Sequence, residues 1–96
     1  MNKTENKLVE LGYKKEREIN IPKFPPKETW YVKKYSSEDI MIVIYLQDEK
    51  IDEDFCQVEI KGHYGFSDQT IIDNLHKLLT EALIILKKDL EVLKKC

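Results

Sequence analysis

Five carboxylates crowd the stretch YLQDEKIDEDFCQ, where Asp48, Glu49, Asp52, Glu53 and Asp54 surround Lys50 between two apolar segments. Oxygens gathered this densely suggest calcium first. Calcium needs about six to eight oxygen ligands, on a loop that alternates acidic positions, turns at a glycine and closes with a glutamate. DEKIDEDF has no glycine, and Ile51 and Phe55 interrupt it, so no metal is expected. The stretch reads as the solvated tip of a hairpin, and second as a negative surface that steers a basic protein partner.

The other residue types able to do chemistry are Cys56, His63 and His76. A nucleophilic cysteine needs a base and an activating environment. Cys56 alternates with Val58 and Ile60, an apolar face that would raise its pKa and shield it. His63 falls in the turn-like GHYGF and His76 on the border of a helical stripe. No HxxxH or CxxC spacing joins them, so a zinc set is not expected. With three glycines in the chain there is no phosphate-cradling loop, and no GxSxG or dinucleotide fingerprint is present. The expectation is a non-enzymatic protein with no cofactor.

Trp30, Tyr31, Tyr35 and Tyr45, interleaved with Lys33 and Lys34, could stack single-stranded bases. An alternative reading is therefore a small nucleic-acid-binding module that uses these aromatics with Lys14, Lys15, Lys33 and Lys34. Against it stand a net charge of -2 and a basic set that is all lysine except Arg17. Guanidinium forks are the usual readers of phosphate and guanine. Nucleic acid is not the expected partner.

The elements that must position these residues fit one domain of 96 residues, enough for one modest core. At 42% hydrophobic and 35% charged, the chain is globular. Its charge is segregated: residues 1–39 carry +2, residues 40–75 carry -6 and residues 76–96 carry +2. The apolar run ALIIL is far too short to span a bilayer, and the N-terminus lacks an apolar signal core. No membrane association is expected. The two cysteines, Cys56 and Cys96, suggest no disulfide framework, so a reduced cytoplasmic protein is expected.

TENKLVELGY predicts a short helix capped by Thr4, stopped at Gly12 and docked through Leu8, Leu11 and Tyr13. YKKEREINI alternates as a strand with Ile19 and Ile21 on one face. PKFPPK is an extended connector. In ETWYVKKY, residues Trp30, Val32 and Lys34 point one way and Tyr31, Lys33 and Tyr35 the other. SSED is a turn. IMIVIYL is apolar on both faces, as for a central strand covered twice, and DFCQVEIKG is its antiparallel neighbour.

SDQTIIDNLHKLLTEALIILKKDLEVLKK predicts a helix of about seven turns, with Ser67 as N-cap and a Phe66–Ile71 staple. Its apolar arc is wide and its length of about 40 Å exceeds the roughly 23 Å of a seven-residue strand. The C-terminal half is expected to overhang the sheet. Either the N-terminal helix or a second copy covers it. The second copy is preferred, giving a homodimer through Leu79, Leu83, Leu86, Leu90 and Leu93. The predicted fold is α+β: a short N-terminal helix, an antiparallel sheet of three to four strands, and a long C-terminal helix packed on one sheet face.

The sequence of KLVELGYKK, then YVKKY, a short apolar hairpin and a closing LLTEALIILKKDLEVLKK helix resembles small accessory proteins of phages and mobile elements of low-GC Gram-positive bacteria. The resemblance lies in layout and composition and transfers no catalytic residue. It implies an accessory role, such as inhibiting a host defence or nucleic-acid-handling protein by surface complementarity. An acidic face would occupy that protein's basic groove.

Overall fold

The computed structural model describes residues 2–23, 26–36, 40–60 and 69–95. Helix α1, Lys3–Glu10, is followed by strands β1 Lys14–Ile19, β2 Glu28–Tyr35, β3 Ile40–Gln47, β4 Lys50–Ile51 and β5 Gln57–Ile60, then helix α2, Gln69–Lys94. The strands form one antiparallel sheet in the order β1-β2-β3, with both β4 and β5 paired to the far edge of β3. The protein is α+β, with α2 lying on one sheet face.

Helix α1 begins two positions earlier than a Thr4 cap would place it. Asn2 holds extended backbone, and its Oδ1 accepts the Glu5 N–H at 2.8 Å. Asparagine is at least as good a cap as threonine. The other end closes as expected. Gly12 takes φ +96°, its N–H reaches Val9 O at 3.0 Å, and Tyr13 N–H reaches Leu8 O at 2.9 Å. This paired closure satisfies carbonyls that the helix leaves open and brings Leu8 against Tyr13. Both are buried, and Leu11 packs beside them.

Strand β1 is a charged, exposed edge with a bulge between Lys15 and Arg17. Such features blunt edge-to-edge association. Ile19 is half-buried, while Ile21 lies beyond the strand and is exposed. The expected shared core face is therefore absent, because the strand ends before Ile21.

The core sits between the sheet and α2. Ile40, Ile42, Ile44 and Leu46 of β3 are fully buried on this face with Tyr31. They join Leu8, Tyr13, Ala82, Leu86 and Leu93. The opposite face of β3, Met41, Val43 and Tyr45, is also buried. Burial on both faces is what the unbroken apolar run predicts. On this face Trp30, Val32 and Lys34 of β2 stand beside Tyr45, Val43 and Met41.

The described core takes side chains of α2 from Leu78 to Leu93. The C-terminal part of the helix therefore lies on the sheet, contrary to the expected overhang. Its last turns are long enough to reach α1, whose Leu8 and Leu11 enter the same cluster. The expected Ser67 cap, the Phe66–Ile71 staple and GHYGF with His63 lie outside the described residues or side chains, as do Cys96 and most of SSED.

Candidate functional site: the acidic hairpin and its two flanking pockets

The acidic stretch is more elaborate than one turn between two strands. Gln47 pairs with Lys50, so Asp48 and Glu49 form a two-residue hairpin loop. Both have positive φ, 50° and 68°, as a turn matched to the strand twist demands. After Ile51 the chain leaves the ladder, forms a 3-10 turn over Glu53–Phe55, and rejoins β3 at Gln57. The strand expected from Asp54 onward thus begins only at Gln57, with Asp54 and Phe55 in the 3-10 turn and the short β4 ahead of it. Five residues, 52–56, stand against Ile44 and Tyr45 of β3, and this large bulge displaces the acidic residues outward.

Cys56 fills the gap that the bulge opens. Tyr45 N–H meets Cys56 Sγ at 3.4 Å, and the thiol faces Asp52 O at 3.3 Å. Asp52 N–H takes the remaining Tyr45 carbonyl at 3.0 Å. Burial pushes the Cys56 thiol pKa up, and the Tyr45 N–H offsets part of that rise. The sulfur is a structural group here.

The carboxylates divide by role. Asp48 Oδ1 accepts Lys27 N–H at 2.8 Å while Asp48 N–H donates to Lys27 O at 2.8 Å, tying the tip to the β1–β2 connector. Lys27 Nζ lies 3.3 Å from Glu18 and 3.7 Å from Glu49. Its ammonium, with Lys15, holds the Glu18 carboxyl below its ordinary pKa. Asp52 Oδ1 caps the 3-10 turn through Asp54 N–H at 3.2 Å. Glu53 pairs with Lys94 at 2.6 Å, which raises the Lys94 pKa. Asp54 is exposed and has no side-chain partner among the described residues.

Four of the five carboxylates, Glu49, Asp52, Glu53 and Asp54, line one open groove of about 650 Å³. Lys50 and Lys94 share its wall, and Thr4, Ile51 and Leu93 bring in α1, β4 and the end of α2. Asp48 stands outside it, engaged by Lys27. The groove has a modest negative balance and carries apolar side chains as well.

A second hollow of about 390 Å³ lies beside it, lined by Glu28, Trp30, Tyr45, Gln47, Phe55 and Gln57. Trp30 and Tyr45 face each other across β2 and β3 with ring centroids 5.2 Å apart, and Phe55 meets Tyr45 edge-on at 5.4 Å. The Arg17 guanidinium carbon stands 5.1 Å from the Trp30 centroid. Burial foremost, then Glu28, raises the Tyr45 hydroxyl pKa. This aromatic trio was not anticipated as a unit. The signal was available, since a β2–β3 hairpin turning at SSED places Trp30 opposite Tyr45. Phe55 joins only because of the 3-10 turn.

The lysines and aromatics of the nucleic-acid reading are split between faces. Tyr31 is buried and Lys33 is bound to Asp89 under α2, while Tyr35 bonds Glu81. Trp30 and Tyr45 lie on the other face. Of the proposed self-association residues, Leu86 and Leu93 are buried in the core, Leu79 and Leu90 are half-buried, and Leu83 is exposed beside exposed Ile84. His76 is exposed on α2. Among the described residues no three His, Cys, Asp or Glu side chains converge as a metal set, and no helix is long and apolar enough to cross a membrane.

Comparison with protein families, with curated proteins and with solved structures returned no match.

Proposed function

We propose that this chain is a non-enzymatic binding protein whose acidic groove receives a basic segment of a protein partner. The observation that carries the reading is the convergence of Glu49, Asp52, Glu53 and Asp54 on one open groove. Apolar groups in the same wall supply contact area beside the charge. In the setting the resemblance implies, the partner is a host defence or nucleic-acid-handling protein that the accessory protein inhibits in the cytoplasm. Such proteins expose basic grooves, and a negative surface accelerates the encounter.

Self-association through α2 belongs to the same proposal. With Leu86 and Leu93 committed to the core, the exposed pair Leu83 and Ile84 forms the centre of the homodimer contact, flanked by Leu79 and Leu90. Ile84→Glu is expected to convert the dimer to a folded monomer in sedimentation equilibrium. A monomer in the unaltered protein at high concentration would overturn this part.

The binding reading is tested with Glu49→Gln, Glu53→Gln and Asp54→Asn together, which leave the structural Asp48 and Asp52 in place. Wild type is expected to capture a basic or nucleic-acid-handling protein from host lysate, and the triple variant to lose it. Equal capture by both would remove the groove as the binding site.

A further inference from the structure

The 3-10 turn Glu53–Phe55 is a ridge with different chemistry on its two sides. Glu53 and Asp54 line the acidic groove, Phe55 lines the aromatic hollow, and Gln47 lines both. A segment lying in the groove can therefore reach over the ridge into the hollow. Phe55 is 63% exposed, an unusual position for a large apolar ring, and buried aromatic anchors are where interfaces concentrate their energy.

We propose that the hollow formed by Trp30, Tyr45 and Phe55 is a subsite for an arginine side chain of the basic partner segment, a proposal that rests on the acidic-groove reading above. Three arrangements select that occupant. The rings touch one another in tilted and edge-on contacts, at 56° and 61°, and with Phe55 largely exposed they present an aromatic surface on which a flat cation can stack. Aromatic faces attract cations through their quadrupole, and the planar, weakly hydrated guanidinium also stacks flat on them, which a compact ammonium cannot do. The same contact already occurs within the chain, where Arg17 rests on Trp30, which leaves exposed Phe55 as the ring that a partner's guanidinium would cover.

The rim matches the donors of a guanidinium. Glu28 contributes a carboxylate to the wall, and a planar fork pairs with a carboxylate through two parallel hydrogen bonds. The Gln57 amide nitrogen is engaged with Glu59 at 2.6 Å, which leaves its carbonyl oxygen as an acceptor. Asp48 and Asp52 add to the negative field around the Tyr45 hydroxyl. An uncharged apolar occupant would desolvate the Glu28 carboxylate with no charge to offset it, and an acidic one would be repelled.

The test uses the single tryptophan of the chain, Trp30, as a reporter within the subsite. Oligo-arginine and oligo-lysine peptides of equal length are titrated against wild type, Phe55→Ala, Phe55→Tyr and the triple groove variant, with Trp30 emission and peptide anisotropy read together. Oligo-arginine is expected to shift Trp30 emission and to bind at least about fivefold more tightly than oligo-lysine. Phe55→Ala should abolish that preference, and Phe55→Tyr should keep it. The triple groove variant should weaken both peptides alike. Equal binding of the two peptides to wild type, or an unchanged preference in Phe55→Ala, would overturn the arginine subsite while leaving the acidic groove standing. Failure of either peptide to bind wild type would overturn both.

Discussion

Lys33 of β2 and Asp89 of α2 approach to 2.8 Å beneath the helix, and the Tyr13 hydroxyl donates to the same carboxylate oxygen at 2.7 Å. Lys33 also donates to the Leu11 carbonyl at 3.1 Å and lies 4.6 Å from the Tyr13 ring centroid. One carboxylate thus joins the end of α1, the sheet and the long helix. Removing it leaves a largely buried ammonium without its counter-charge and a buried hydroxyl without its acceptor. Asp89→Ala is expected to cost about 2–3 kcal/mol, since breaking one side of a buried pair exceeds the worth of the pair. Asp89→Asn, which still accepts from Tyr13, should cost less. Urea unfolding of the variants measures both.

The protein is expected to lose stability in alkali. Burial foremost, then Asp89, pushes the Tyr13 hydroxyl far above the ordinary phenol range, and burial raises Cys56 as well. The folded state therefore keeps protons that the unfolded chain releases, with unfolded values of about 8.5 for Cys and about 10 for Tyr. Stability contributed by these groups is full below those values and falls as pH rises through them. Thermal melts from neutral pH to above pH 10 should show the decline, and Tyr13→Phe should flatten its upper part.

Tyr31 gives the opposite expectation to Tyr13. Its hydroxyl is buried beside the Glu5 carboxylate without reaching hydrogen-bond geometry with it. An unsatisfied buried hydroxyl costs free energy that a phenyl ring does not. Tyr31→Phe should be neutral or stabilise by up to about 1 kcal/mol, whereas Tyr13→Phe should destabilise. Paired denaturation curves at neutral pH compare the two.

Element type was legible where periodicity is strong, and lost where a long-range relationship decides. The unbroken IMIVIYL marked β3 as the central strand, and Gly12 marked the end of α1, because each signal is local. The late start of β5 was hidden: DFCQVEIKG alternates well enough to pass as strand from its first residue, and the bulge depends on Asp52 capping a 3-10 turn and Cys56 bonding across to Tyr45. The α2 stripe showed which residues avoid water without showing what covers them. Asp89 sits among its charged positions in sequence, yet Lys33 and Tyr13, 56 and 76 residues away, draw it inside. The acidic site was readable as composition. Its groove was not, since Thr4 and Leu93 come from opposite ends of the chain.

The hairpin tip holds non-glycine residues in left-handed backbone, Asp48 at φ 50° and Glu49 at φ 68°. Glycine adopts this region without the Cβ penalty, and Asn-Gly is the favoured pair for such turns. Asp48→Asn keeps the Oδ1 that accepts Lys27 N–H, and Glu49→Gly gives up only a 3.7 Å ion pair at the surface, of small worth. Together they are expected to stabilise by about 1 kcal/mol, read as a higher melting temperature. A lower one would show that the acidic side chains at the tip hold the turn more strongly than its backbone resists them.

Cys56 should behave as a structural thiol. In a Cys96→Ser background, alkylation of Cys56 by iodoacetamide at pH 8 is expected to be much slower in the folded protein than in urea, because the reactive thiolate is disfavoured by burial. The reactivity profile should rise only at a pH above the ordinary thiol range. Cys56→Ala removes the sulfur that meets Tyr45 N–H and the thiol that faces Asp52 O. The expected cost is about 1–2 kcal/mol. Amide hydrogen exchange at Tyr45 should accelerate in this variant more than at Met41, which faces β5 where the ladder is continuous. Equal acceleration at both would mean that the sulfur does no more for the bulge than fill space.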